Sequence, residues 1–285
     1  MTYKQLSQLR PEGFKRRCGV HLETFEQMVA ILRPALDRRG KRGGQCKLSV
    51  EDQLLVVLEY WREYRTQFHI ATTWGLSESA VCQLIQKVEG ILIKSSEFRL
   101  PGKKQLYQTA SIGSVVAVDV TESPIVGAAF PKGTSPKKRR YYSGKKKRHT
   151  LKAQVLVNQA TGQIICTAFG KGRVHDFRLF KLHRLPMLPE QLCLADKGYQ
   201  GIAKLHPCSC TPTKKPRQGK RQHNRNFARL RVVAEHVNRK LKIFRILAER
   251  YRIELRSARG ARRKRFGLRF NLIAAIVNFE LALSS

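Results

Sequence analysis

The sequence predicts an α/β protein in which an N-terminal all-α region precedes a larger domain built on a mixed β-sheet. Three observations carry that expectation. Residues 49–88 place apolar side chains at helical spacing behind capping residues, and Val115, Val116, Ala117 and Val118 form an unalternated apolar run suited to a strand buried on both faces. Residues 151–158 and 162–169 read as two further strands around the turn sequence Gln159-Ala-Thr-Gly162. With 285 residues and 42% hydrophobic content, the chain can bury one large core or two domains.

A first helix is expected over Leu22–Leu36, after which the Arg/Gly-rich residues 38–44 break periodicity and read as a basic linker closing a segment at residues 1–48. Ser49, followed by Glu51 and Asp52, supplies an N-cap and an acidic first turn to a helix carrying Leu54, Leu55, Leu58 and Trp61. A shorter helix around residues 66–73 follows. Gly75, Leu76 and Ser77 then make a tight turn into a third helix with Val81, Leu84, Ile85 and Val88 inward. Residues 49–100 thus have helix-turn-helix geometry, with Gln83, Gln86 and Lys87 outward beside Glu78 and Ser79. Gln and Ser can pair with base edges and Lys with phosphate, although spacing alone equally suits a plain helical bundle.

The expected domain over residues 111–285 continues with a short helical crossover at 178–185, a strand at 192–195 and another at 208–212. This is a ribonuclease H-like order of strands and helices, in which the 115–120 and 192–195 strands lie side by side. Asp119 ends the first of these strands and Asp196 follows the second, so the two carboxylates are expected to share a divalent ion. Glu235 is expected to approach from a helix with Leu230, Val233, Val237, Leu241 and Phe244 buried and Arg231, Asn238, Arg239 and Lys242 on Glu235's own face. Between Arg231 and Arg239, Glu235 also fits a simple surface ion-pair ladder. His175 and Asp176 compete for the second acidic role but precede a helix, so Asp196 is preferred. They and Glu122 are expected to support the site, Glu122 as an extra ligand or as a loop anchor.

Charge narrows the function. Residues 1–110 hold 18 Lys and Arg against 11 Asp and Glu, whereas residues 111–285 hold 38 against 9, and the whole chain carries +36. Acids are scarce where Asp119, Asp196 and Glu235 stand, so neighbouring cations should keep them ionised. The excess points to a phosphate-rich partner, with nucleic acid first and binding that weakens in salt. The basic residues 137–140 and Lys145, Lys146, Lys147 and Arg148, interleaved with Tyr141 and Tyr142, fit a localisation-type patch, a solvated loop or a DNA groove. Aromatics between cations favour the groove, and residues 214–225 form a second such loop.

Other classes are disfavoured. The polar N-terminus has no continuous apolar stretch of a secretory signal, and Arg269, Asn271, Asn278 and Glu280 interrupt the apolar residues 266–283 well short of the ~20 that a span needs. A packed C-terminal helix, no membrane partner and an intracellular protein with reduced cysteines are expected. His206, Cys208 and Cys210 alternate as a strand does and lack a second ligand pair for zinc.

Several motifs together resemble the DDE insertion-sequence transposases, in the group of the insertion-sequence-five-like elements and Harbinger-type endonucleases. They are Asp119-Val-Thr-Glu122, Tyr142-Ser-Gly-Lys-Lys-Lys-Arg-His-Thr-Leu-Lys152, His175-Asp176, Ala195-Asp-Lys-Gly-Tyr-Gln-Gly201, and Arg231, Glu235 and Lys242 spaced as in a related signature. That signature carries Tyr three residues before the Arg, where this chain has Ala228 beside Phe227. The resemblance runs from about residue 49 to the C-terminus. It implies a transposase that binds the terminal inverted repeats of a mobile element and target DNA as double strands, and cleaves and joins them. It further implies two Mg²⁺ (or Mn²⁺) ions on Asp119, Asp196 and Glu235, phosphate contacts from Arg231 and Lys242, a homodimer on DNA, and a cytoplasmic, nucleoid-associated setting in a bacterial host. The alternatives are a domesticated nuclease or a DNA-binding regulator that kept the fold. A ribosomal or RNA-packaging role would explain the charge but not a carboxylate in so apolar a strand.

Overall fold

The computed structural model describes residues 2–37, 47–108, 113–126, 140–213, 218–252 and 261–284. The chain divides into two compact units, one of residues 1–99, 242–249 and 268–285, the other of residues 100–241 and 250–267. A sequence boundary placed at residue 111 therefore does not follow the packing. Two C-terminal segments pack with the N-terminal helices.

The first unit starts with α1 (Tyr3–Leu6), α2 (Pro11–Cys18) and α3 (Leu22–Leu36). Gly19 ends α2 at φ 85°, where a Cβ would lie 2.9 Å from the Phe244 ring, so both backbone and space require glycine. Next, α4 (Val50–Arg62) begins where Ser49 Oγ accepts from Asp52 N at 3.0 Å, and it buries Leu54, Val56, Val57, Leu58 and Trp61 completely. Thr66 caps α5 (Gln67–Trp74), Gly75 turns the chain at φ 62°, and Ser77 Oγ accepts from Ala80 N at 3.2 Å to start α6 (Glu78–Leu92). Val81, Ile85 and Val88 are buried as expected, while Leu84 is only half-buried. The helix-turn-helix thus follows from local caps and one left-handed glycine.

The second unit holds β1 (Val115–Pro124), β2 (Tyr142–Ser143), β3 (Arg148–Asn158), β4 (Ile164–Lys171), α7 (Asp176–His183), β5 (Leu192–Ala195), β6 (Ser209–Cys210) and α8 (Gln218–Lys242). Antiparallel β3 separates β1 from β4, and β5 and β6 extend the sheet from the other edge of β1 in parallel. The order β4-β3-β1-β5-β6 is the ribonuclease H-like one. Val116, Val118, Cys193, Ala195, Phe180 and Tyr199 pack on one face, and Ala117, Leu194, Phe227 and Ala234 on the other, so β1 is buried on both sides. In the β3–β4 turn, Asn158 Oδ1 accepts from Ala160 N at 2.9 Å and Thr161 N at 3.2 Å before Gly162 at φ 73°. β4 begins at Ile164, two residues later than the sequence suggested.

β1 is longer than expected. It runs to Pro124, so Asp119 lies mid-strand opposite Val155, because β3 continues to pair with it after β5 has stopped. His206 is buried and its Nε2 lies 2.5 Å from Gln191 O, while Cys210 joins β6. The six described cysteines are free.

After α9 (Arg245–Ala248) comes α10 (Ala261–Leu283). Its residues 265–283 are long and apolar enough to cross a membrane. Its packing is that of a core helix, because Arg269 is 1% exposed and donates through Nε to Glu89 Oε1 at 2.6 Å. Glu89 Oε1 also accepts from Trp61 Nε1 at 3.2 Å, and the Arg269 guanidinium lies 5.3 Å from the Tyr60 ring centroid. An uncompensated buried charge is expensive, so Arg269→Met should destabilise the protein by about 3–5 kcal/mol in denaturant titration. An unchanged midpoint would refute the role given to this pair.

His183 supplies a pH dependence. Its burial, with Lys103 nearby, pushes the imidazole down from 6.5 to about 4, and Lys103 donates to the His183 carbonyl. The folded value is depressed, so the unfolded chain takes up the proton first and stability falls as pH drops from about 6.5 toward 4. Thermal melts across that window should flatten for His183→Gln relative to the parent, and parallel curves would exclude His183 as the cause.

Candidate active site

Parallel pairing of β1 with β5 ends at Val118 opposite Ala195. Those two residues face the α7 side, so Asp119 and Asp196, one position on, both turn to the α8 side, following Ala117 and Leu194. Two carboxylates, one within β1 and one just after β5, therefore point toward one helix. Arg231 on α8 answers both, with Nη2 at 3.7 Å from Asp119 Oδ1 and Nη1 at 3.6 Å from Asp196 Oδ1, and only 11% of its side chain is exposed. Asn238, two turns later, donates from Nδ2 to Asp119 Oδ2 at 2.8 Å. Asp196 Oδ1 accepts from Lys197 N at 2.6 Å, which orients it at the head of a short turn.

The electrostatics follow from this packing. Burial pushes the Asp119 carboxyl above its usual range, Arg231 pulls the other way more strongly than the Val120 amide or Asn238, and Asp196 adds to the rise. Arg231 is thus counter-charge to the acid pair and is not displayed toward solvent, as a purely phosphate-binding arginine would be.

Glu235 does not join the pair. The buried side of α8 is Phe227, Arg231, Ala234, Val237, Asn238 and Leu241, whereas Glu235 is exposed, and among the described residues no three His, Cys, Asp or Glu form a metal-holding group. The expected stripe was rotated. Leu230 is 43% exposed and Val233 only half-buried, because the face that meets β1 and β5 must deliver Arg231 and Asn238 to the carboxylates. Sequence reasoning passed over Asn238 as a site residue, although its seven-residue spacing from Arg231 put both on one helix face. Phe227 is core, packed with Ala117, Leu194 and Ala234.

The opposite face of the sheet carries a second polar group. Lys152, 6% exposed, donates from Nζ to Asp176 Oδ1 and to Val174 O, each at 2.7 Å, and lies 3.8 Å from Glu122 Oε1. Thr150 Oγ1 donates to Glu122 Oε2 at 2.7 Å. Asp176 also sits under the turn after Asp196, where a Cβ on Gly198 would lie 3.7 Å from Asp176 Oδ2. The buried Tyr199 hydroxyl is pushed well above its ordinary pKa by burial first, then by Asp176, Asp119 and Asp196. His175 is exposed and caps α7, its ring Nδ1 accepting from Phe177 N at 3.3 Å. Glu122, His175 and Asp176 therefore stand behind the acid pair and on the far face from α8.

Gln83, Gln86 and Lys87 are exposed on α6. Lys145, Lys146 and Lys147 are exposed in the β2–β3 loop and Arg148 is exposed at the start of β3, and Ser143 Oγ closes the loop by accepting from Lys146 N at 3.2 Å. Lys242 is exposed at the end of α8. The basic stretches at 38–44, 137–139 and 214–217 lie outside the described residues.

Paired acids on adjacent parallel strands, against a cationic helix, are the equipment of a phosphodiester-cutting α/β enzyme. Residues 118–279 match the family described as DDE superfamily endonuclease, and residues 46–98 match the helix-turn-helix of DDE superfamily endonuclease. Across its full length and that of the relative, the chain is 48% identical to a probable transposase for insertion sequence element IS702 of Microchaete diplosiphon. It is 23% identical, over 81% of this chain and 84% of the relative, to a candidate transposase for insertion sequence element IS112 of Streptomyces albus G. The chain belongs to the DDE superfamily of endonucleases. That superfamily generally uses divalent metal ions, and the structure suits one here. Asp119 and Asp196 offer hard oxygen donors from neighbouring positions, the place between them already calls for positive charge, and a buried Asn238 Oδ1 lacks a partner among the described atoms.

Removing the guanidinium should therefore expose the repulsion between the two acids. Arg231→Gln should lower metal-free stability by about 1–3 kcal/mol, and millimolar Mg²⁺ or Mn²⁺ should raise the variant's Tm more than the parent's. Equal melts with and without the ion would refute the counter-charge role.

Proposed function

We propose that this protein is a transposase that binds the ends of a DNA mobile element and carries out strand cleavage and strand transfer. The observation that carries this reading is the side-by-side position of Asp119 and Asp196, each one residue past the last β1–β5 pair, in a chain that also holds a helix-turn-helix. The names of its relatives, transposases of insertion sequence elements, point to the same substrate class.

Asp119 and Asp196 would hold the divalent ions, Mg²⁺ or Mn²⁺ and two per site in this proposal. When bound, such ions activate a water, and then a 3′-hydroxyl, for in-line attack on phosphodiesters. Asn238 keeps Asp119 oriented, and Asp196 is fixed by the turn it heads. Glu235, exposed on the same helix one turn beyond Arg231, is assigned to the DNA-bound complex, where it faces the reacting phosphate. Arg231 and Lys242 supply positive charge to the phosphate as its charge develops. Gln83, Gln86 and Lys87 read the double-stranded terminal inverted repeats, and the Lys145–Arg148 loop tracks the backbone of terminal or target DNA. Bringing two ends together in register calls for a homodimer on DNA, seen as a two-protomer complex by sizing.

The test is cleavage of labelled duplexes carrying the element's own ends, in Mg²⁺, Mn²⁺ or EDTA. Asp119→Asn and Asp196→Asn should keep DNA binding and lose cleavage by about a hundredfold or more, and Glu235→Gln should lose it too. A parent protein that binds these ends and never cuts them would make this chain a DNA-binding regulator instead.

A further inference from the structure

The outward side of α8 carries a charge pattern of its own. Arg225, Arg229, His236 and Lys240 are exposed. At about 100° per residue they fall about 120–180° around the helix from Arg231, whereas Glu235 falls about 40° from it. They make one stripe, about 22 Å long at about 1.5 Å per residue. It runs along the side of α8 turned away from Asp119 and Asp196, which Arg231 meets. The edge that bears Glu235 and Lys242 is left to the reacting phosphate.

Sign and pairing set this stripe apart from a face that merely meets water. Residues 222–242 hold six Lys and Arg against one acid, Glu235. Solvated helix faces usually mix both signs, and like charges four residues apart, as Arg225 and Arg229 are, repel each other. Exposed arginines elsewhere take carboxylates, Arg33 with Glu51 and Arg245 with Glu63. Arg225, Arg229 and Lys240 have no ion pair among the described residues. The helix that carries them is anchored from behind, where Phe227 and Ala234 pack on Ala117 and Leu194, so the cations stand on a rigid element.

We infer that the outer face of α8 is a binding surface for the backbone of duplex DNA, separate from the acid pair. This rests on the reading of the protein as one that binds DNA. A duplex presents one negative charge per about 1.7 Å of its axis, so a straight stripe of this length meets several phosphates at once and reads no base. DNA held there is held whatever its sequence and without a divalent ion. That suits target or flanking DNA, and complements the terminal repeats assigned to α6.

The experiment is binding of a short labelled duplex of arbitrary sequence to the full-length protein in EDTA, followed by fluorescence anisotropy through a salt series, with circular dichroism to confirm folding. In the triple variant Arg225→Gln, Arg229→Gln, Lys240→Gln, the slope of log affinity against log salt should shrink by about 2–3. The control is Arg173→Gln, Arg178→Gln, Lys181→Gln, which removes the same charge from exposed positions on or next to α7. Its slope should shrink by less than about 1. A parent-like slope in the α8 triple variant overturns the inference, and so does an equal drop in both variants, which would reduce the stripe to net charge. A loss seen with duplex RNA and not with duplex DNA overturns it in favour of an RNA partner. A folded parent that binds no DNA at any salt would remove the underlying reading, and this inference with it.

Discussion

Parallel pairing of β1 with β5 is the constraint on which the site depends. Four register pairs, from Val115 opposite Leu192 to Val118 opposite Ala195, decide that Asp119 and Asp196 emerge together and on the same face. A slip of one residue would send one carboxylate into the apolar α7 face, where Val116, Val118, Cys193 and Ala195 pack without charge. The register is held by apolar contacts on both faces of the sheet, so the core and the site are parts of one packing problem. β1 continues past the end of β5 because β3 still pairs with it, so beyond Val118 the strand has β3 as its partner and Asp119 turns toward Arg231 and Asn238 of α8.

The two carboxylates repel and Asp119 loses water, and the structure answers with α8. Its inward face trades leucine and valine for Arg231 and Asn238, which is why the helix looks turned when judged by apolarity. Asp119 is still pushed above its usual pKa by burial despite Arg231, so the site carries strain that a bound cation would relieve. Preformed acid pairs of this kind trade stability of the empty protein for affinity toward positive charge. On the far face, Lys152 ties Asp176, Glu122 and the Val174 carbonyl together beneath the turn that presents Asp196. The backing of the site is thus itself ionic, with Lys152 bonded to a carboxylate and a backbone carbonyl.

Helical caps and isolated acids were legible in the sequence, for physical reasons. Ser49 and Ser77 act on backbone amides three residues away, and Gly75 acts on its own φ, so no distant contact is needed to recognise them. Asp119 and Asp196 stood out because a carboxylate beside an apolar β-branched run is costly wherever that run packs. The phase of α8 was not legible, because periodicity alone assumes that apolar side chains face inward. Here two polar residues do so in company with Phe227, Ala234 and Leu241, and Leu230 is left in solvent.

The sequence by itself determined the two-part α/β plan, the helix-turn-helix and the strand order, since these follow from local backbone preferences and from the pattern of apolar runs. Tertiary structure alone decided which helix residues meet Asp119 and Asp196. It chose Arg231 and Asn238 over Glu235, joined Lys152 to Asp176, and extended β1 beyond Asp119. Those choices depend on contacts between residues far apart in the chain, where a rotation of one helix by a single position changes which side chain enters the site.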